Sequence, residues 1–281
     1  MDSHQALRYL ESPPSSGGWH VRLHAYLRDT HTLVALTYDG IRRIHDLPEL
    51  HRILNSAPLA SSSTSEAADQ LAAAEKRAKE AAEAVETDFA LLHAHTLMGL
   101  WGALEAAIDD LIGNWIDVVP EAMNNPVFER IKVPLGTWER MKRTEQRGLI
   151  ARELGATLKA ADSAGVGQFE KLLDAVGLGG AVDARLRKSL HRAQQYRNLV
   201  AHRGGIADKR FITACPDWGY KDGDEVTLSR QEFDEILYAI VLYGQLVLNR
   251  CLVALGYEPN FDGFHEPWHS ALDPRSSSTS D

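Results

Sequence analysis

The chain has 281 residues, 44% hydrophobic and 25% charged, with a net charge of −9. That length allows one large domain or a domain with an appendage, and the composition is that of a globular protein rather than a disordered or fibrous one. The negative balance makes the whole molecule repel nucleic acid, so any nucleic-acid site must be a local basic patch.

Cys215 and Cys251 are the only cysteines, too few for a disulfide framework or a thiolate zinc site, and they suit a reducing cytosol. Met1-Asp2-Ser3-His4 lacks the charged-then-apolar opening of a signal peptide. These features predict a cytoplasmic protein.

Residues 1–18 end in Pro13-Pro14-Ser15-Ser16-Gly17-Gly18, a loop composition. Val21, Leu23, Ala25 and Leu27 then alternate with polar residues. Thr32 to Tyr38 is rich in β-branched and aromatic residues, and Asp39-Gly40 is a turn signal. This pattern predicts a small hairpin, followed by a short helix from Ile41 to Leu54 broken at Pro48. Residues 1–60 therefore read as a small α+β appendage.

Ala60 to Thr64 reads as a linker, with Ser63 and Glu66 at capping-box spacing. Glu66 to Val85 is rich in Ala, Glu and Lys, a solvated helix leading into the bundle over residues 61–86. From Phe89 the apolar line thickens through Leu92, Leu97, Leu100, Trp101, Leu104, Ile108, Leu111 and Trp115, a core helix ending before Pro120. A second line, His95, Gly99, Gly102 and Ala106, is small enough to admit another helix, from this chain or from a second copy.

Residues 120–136 read as loop. A helix is expected from Trp138 to about Leu158, and a short one from Gln168 to Val176. A third spans Asp183 to His202. Arg210–Thr213 and Glu225–Leu228 look like two strands, a hairpin insertion over about 209–228. Ser229 and Glu232 form a capping box opening an apolar helix to Leu255. Gln245, Asn249 and Arg250 interrupt its apolar run, which argues for a buried helix rather than a membrane span. The tail, 257–281, is expected to end in disorder.

The chemistry-bearing stretch is Tyr196 to Gly205. Leu186, Leu190, Ala193, Arg197 and Val200 form one stripe, which places Arg197 on the apolar face in need of a partner. Glu105 is the candidate, with Asp109 one turn on. His202 lies about 140° round the helix from Arg197, and Gly204-Gly205 suits a left-handed helix stop, so the two side chains are expected to reach one pocket if the helix ends at His202.

Arg197-Asn198-x-x-Ala201-His202 resembles the R-x(4)-H motif of the HEPN superfamily, and the upstream helix around Leu100 to Glu105 is similar to that family too. The resemblance covers roughly residues 87–256. It implies a mainly α, antiparallel helical bundle and a metal-independent endoribonuclease active in toxin or defence systems. It further implies a site shared between the subunits of a homodimer, and a cyclic-phosphate product.

On that reading Arg197 neutralises the scissile phosphate, His202 moves the proton of the 2′-hydroxyl, and Asn198 holds the phosphate or positions His202. Glu105 orients Arg197, and Tyr196 stacks on a base or packs. Arg185, Arg187, Lys188, Arg192 and Arg203 form a basic track for RNA, with tRNA a candidate substrate; only Asp183 and Asp208 oppose it between 183 and 210.

Two alternatives remain open: a catalytically silent HEPN-like sensor or scaffold that binds RNA or nucleotide, and a purely structural helical dimer. An operon-encoded partner or antitoxin fits the first reading. No metal or cofactor is expected. His93 and His95 point to different helix faces, Pro267 separates His265 from His269, and Gly177-Leu178-Gly179-Gly180 lacks the lysine of a phosphate loop.

Overall fold

A computed structural model describes residues 18–56 and 64–275. The expectations for the N-terminal loop, the Ala60–Ser63 linker with its cap, and the 276–281 tail lie outside these residues. Ten α-helices make the described part 76% helical, and no β-strand occurs in it. The helices are α1 Trp19–Ser56, α2 Thr64–Glu86, α3 Ala90–Val118, α4 Leu135–Trp138, α5 Arg143–Leu158, α6 Gly167–Ala175, α7 Ala184–Arg203, α8 Lys209–Ala214, α9 Arg230–Ala254 and α10 Glu266–Leu272.

The N-terminal hairpin is not formed: residues 19–56 are one helix. Its buried residues are Trp19, His20, Leu23, His24, Leu27, Val34, Tyr38 and Pro48, spaced at a helical period. Leu23 and Leu27 satisfy both a two-residue and a four-residue repeat, and packing of the helix among α2, α3 and α9 selects the latter. Asp39-Gly40 lies within the helix, and so does Pro48, which withholds one backbone donor without ending it.

The second expected hairpin is also absent. Residues 209–214 form α8, because the Asp208 carboxylate accepts from the Phe211 N–H at 2.9 Å and caps a helical turn. Only one isolated antiparallel bridge, Ile206 to Glu225, remains of the pairing. The Trp138–Leu158 helix starts later than expected, at Arg143, after the single turn α4.

α3 runs through the centre. Leu97, Leu100, Leu104 and Ile108 are fully buried between α1, α7 and α9. α9 opens on the expected Ser229–Glu232 capping box. It is long and apolar enough to cross a membrane, yet its apolar stretch is packed inside the fold. The small line on α3 divides: the Tyr26 side chain closes over Gly99, while Gly102 faces open space.

α1 is locked to α3 through His93, which is fully buried. Its Nδ1 lies 2.8 Å from the Leu228 carbonyl and donates to it, so Nε2 accepts from the Tyr38 hydroxyl at 2.5 Å. The ring stacks on Phe233 with centroids 4.8 Å apart.

Burial holds the His93 pKa below the usual 6.5, against an opposing pull from the Leu228 hydrogen bond. The unfolded chain therefore binds this proton first. The contribution of His93 is fully present above about 6.5 and is lost as pH falls toward the depressed folded value. Urea titrations at about pH 7.5 and 5.5 check this. The wild type should lose more stability than His93→Gln on acidification, and equal losses would contradict it.

Candidate functional site

α7 is bounded as its sequence demands. The Asp183 carboxylate caps its start by accepting from the Arg185 N–H at 2.8 Å, and Gly204 ends it with φ 61°. Leu186, Leu190 and Ala193 are buried as expected, but the buried stripe then continues through Tyr196 and Leu199 rather than Arg197 and Val200. The buried face turns here because the 206–228 loop covers this side of the helix, with Trp218 packed edge-on against Tyr196.

Arg197 accordingly sits at the edge of the core, its side chain 32% exposed. Its guanidinium faces Glu105 on α3, with Nη2 3.8 Å from Oε2, and Nη1 donates to Asn198 Oδ1 at 3.1 Å. The Glu105 partnership is thus the expected one, though it lies at the surface rather than within the core.

Glu105 is itself held. Its Oε1 accepts from Trp101 Nε1 at 2.9 Å and from Gln168 Nε2 at 3.3 Å. Gln194, buried on α7, donates to Gln168 Oε1 at 3.1 Å and accepts from the Gly165 N–H at 2.6 Å. A hydrogen-bond chain from α7 through α6 to α3 therefore fixes the carboxylate that faces Arg197. Gln168 and Gln194 carry no recognisable spacing signal, and only the packing of three helices brings them together.

His202 occupies a different cleft, of about 240 Å³, lined also by Gln195, Asn198, Leu199, Arg203, Asp208, Arg210 and Phe211. The imidazole is exposed and makes no hydrogen bond or ion pair among the described residues. Arg197 does not line this cleft, contrary to the expectation of one pocket, because the helix stays regular through Arg203 and keeps the two side chains about 140° apart. Asn198 does line it, and links the two groups by accepting from Arg197.

Tyr196 is 2% exposed and meets Trp218 edge-on at 6.2 Å, so it packs in the core and offers no face to a base. Burial, ahead of the charges around it, pushes its hydroxyl up to about 12.

The basic track is less free than its residue count suggests. Arg185 pairs with Asp183 at 3.0 Å and lies over the Trp268 ring at 4.0 Å, tying α10 to the start of α7. Lys188 and Arg192 both reach Asp217, at 2.7 and 2.6 Å, and hold its carboxyl below the usual range. Arg203 faces Asp208 at 3.8 Å, and Arg187 donates to the Val182 carbonyl at 3.3 Å. Asp217 lies beyond the window in which the acids were counted, and the 206–228 loop brings it back. Arg210, in the His202 cleft, forms no ion pair among the described residues.

No group of three or more metal-ligating side chains occurs among the described residues. Comparison of the chain with protein-family models, curated proteins and solved structures gives no match.

Proposed function

We propose that this chain is a metal-independent endoribonuclease of the HEPN type, working as a homodimer in toxin or anti-phage defence in the cytoplasm. The observation that carries the reading is the unpartnered, exposed His202 at a helix C-terminus, in a cleft with Asn198, Arg203 and Arg210. Cleaving RNA without a metal requires a proton taken from the 2′-hydroxyl, a proton given to the leaving oxygen, and neutralisation of the phosphate. A solvent-facing imidazole beside two guanidiniums has the right chemistry for these tasks.

Arg197 and His202 do not share a cleft within one chain, and this supports a composite site. A twofold contact would bring the Arg197 of one subunit toward the His202 of the other and double both groups around one phosphate.

The engagement of Arg197 with Glu105 and Asn198 favours a second reading, a silent module that binds RNA or nucleotide. Incubating the purified protein with tRNA and total RNA in EDTA separates the two. Cleavage in chelator supports the nuclease, binding without cleavage supports the silent module, and an inert protein removes both.

The basic track gives a further expected result. Arg187→Glu combined with Lys188→Glu should weaken RNA binding and flatten its dependence on salt, because each phosphate contact releases counterions. If the double variant keeps the parent slope, the Asp217-paired face of α7 is only a solvated surface.

A further inference from the structure

A larger cleft opens on the other side of Glu105. It measures about 600 Å³ and lies between α3, the end of α5 and α6, within the size range of small-molecule sites. Small residues of α5, among them Ala151, Gly155 and Ala156, leave the space open, and Phe169 with Leu172 forms an apolar wall. Lys159 and Arg152 stand at its rim, and Asp109 lies one turn along α3 from Glu105.

Three charged side chains in this lining stay unused: Asp109, Asp162 and Lys159. Both carboxylate oxygens of Glu105 face donors, but Asp109 makes no hydrogen bond or ion pair among the described residues. The Lys159 ammonium has no partner among them either. Burial first, then the neighbouring Glu105 and Asp110 charges, hold the Asp109 carboxyl above the usual range. Two N–H donors brought to it would relieve that penalty.

We propose that this cleft takes a guanine base, with Asp109 accepting from its pairing edge, the base against Phe169 and Leu172, and Lys159 meeting a phosphate. Guanine alone among the RNA bases presents two adjacent N–H donors there, N1–H and the 2-amino group. Adenine and cytosine set an acceptor nitrogen beside their amine, and uracil sets one N–H between two carbonyls. An ionised carboxylate only accepts, so it matches guanine and opposes the others. Glu105, Asp109 and Asp162 outnumber Arg152 and Lys159 in the lining, so a cation such as an arginine side chain is the competing occupant, and the unpaired Lys159 is what favours a phosphate-bearing one.

This inference rests on the RNA reading of the Arg197 site and deepens it. Glu105 lines this cleft and faces Arg197 at 3.8 Å, so a bound guanosine would sit next to the arginine that neutralises the phosphate. Cleavage beside guanosine follows.

The test is equilibrium dialysis of the full chain against guanosine, inosine and adenosine 5′-monophosphates and against agmatine. The guanosine nucleotide should bind about tenfold or more tighter than the adenosine one, with the inosine nucleotide, which lacks the 2-amino group, between them. Asp109→Asn, an isosteric change, should erase the preference with circular dichroism unchanged. Lys159→Gln should weaken all three nucleotides alike. Equal binding of guanosine and adenosine nucleotides, no nucleotide binding up to millimolar concentration, a preference that survives Asp109→Asn, or tighter binding of agmatine would each overturn the proposal. The dialysis needs no cleavage. RNA left intact in EDTA by a protein that still selects the guanosine nucleotide counts against the nuclease alone.

Discussion

His202→Ala should lose RNA cleavage by about two to four orders of magnitude, the usual worth of a positioned general acid or base, and keep the wild-type circular dichroism and melting temperature. The imidazole is exposed and bonded to nothing among the described residues, so its removal breaks no contact there. Arg197→Ala should lose activity on a similar scale, roughly two to three orders, by removing charge from the phosphate site.

Its cost in stability should be small. A charge paired in the core would leave its partner stranded at about 3–5 kcal/mol. Here Arg197 and Glu105 are 32% and 39% exposed and 3.8 Å apart, so water takes over for either, and the loss should be about 1 kcal/mol or less. Mixing the two inactive variants tests the shared site, since a heterodimer holds one intact Arg197 and one intact His202. Restored cleavage supports it. Wild-type activity in His202→Ala would remove the catalytic role of that residue, and a fully active monomer in sedimentation would remove the composite site.

The largest loss of stability is expected from Glu170→Ala. Arg250 interrupts the apolar run of α9 and is 4% exposed on its side chain. Its Nη1 donates to both oxygens of Glu170 on α6 at 2.9 Å, and its Nη2 donates to the Ala181 carbonyl at 3.0 Å. The Tyr243 hydroxyl donates to the same carboxylate at 2.6 Å, and the nearby charge together with burial raises the Tyr243 pKa well above its usual value.

Removing the carboxylate leaves a buried guanidinium without its counter-charge and a buried hydroxyl without an acceptor, which together cost about 3–5 kcal/mol. Glu170→Gln keeps an acceptor and should lose less. Denaturant titration reads both, and a shift below about 1 kcal/mol for Glu170→Ala would show that water reaches the pair. The same contact holds the 178–181 segment that leads into α7, so a thermal melt of Glu170→Ala should also release the helix bearing Arg197 and His202.

Some limits set by near neighbours in the chain were legible in the residues, whereas the equally local Asp208 cap of α8 was masked by the β-branched and aromatic composition of 210–213. The Asp183 cap and the Gly204 stop bound α7, and the Ser229–Glu232 box starts α9, because each is a bond or a backbone conformation within a few positions. The apolar line from Leu97 to Trp115 marked α3 as the core helix, since so long a repeat at helical spacing has one geometry that buries it. The offset of about 140° between Arg197 and His202 was legible, but the expected stop at His202, which would have let them share a pocket, comes only after Arg203.

Tertiary structure decided the rest. Residues 21–27 fit a strand or a helix, and packing of α1 among α2, α3 and α9 selected the helical set. The 206–228 loop returned Asp217 to Lys188 and Arg192, so the charge of α7 depended on a residue no local window contains. Arg197 lies at the core edge because the buried stripe turns to Tyr196 and Leu199. The larger cleft exists because small residues on α5 meet α3 and α6 without filling the gap. Helix limits are set by bonds a few residues apart, whereas the charge, exposure and neighbours of a site are set by packing between segments far apart in the chain.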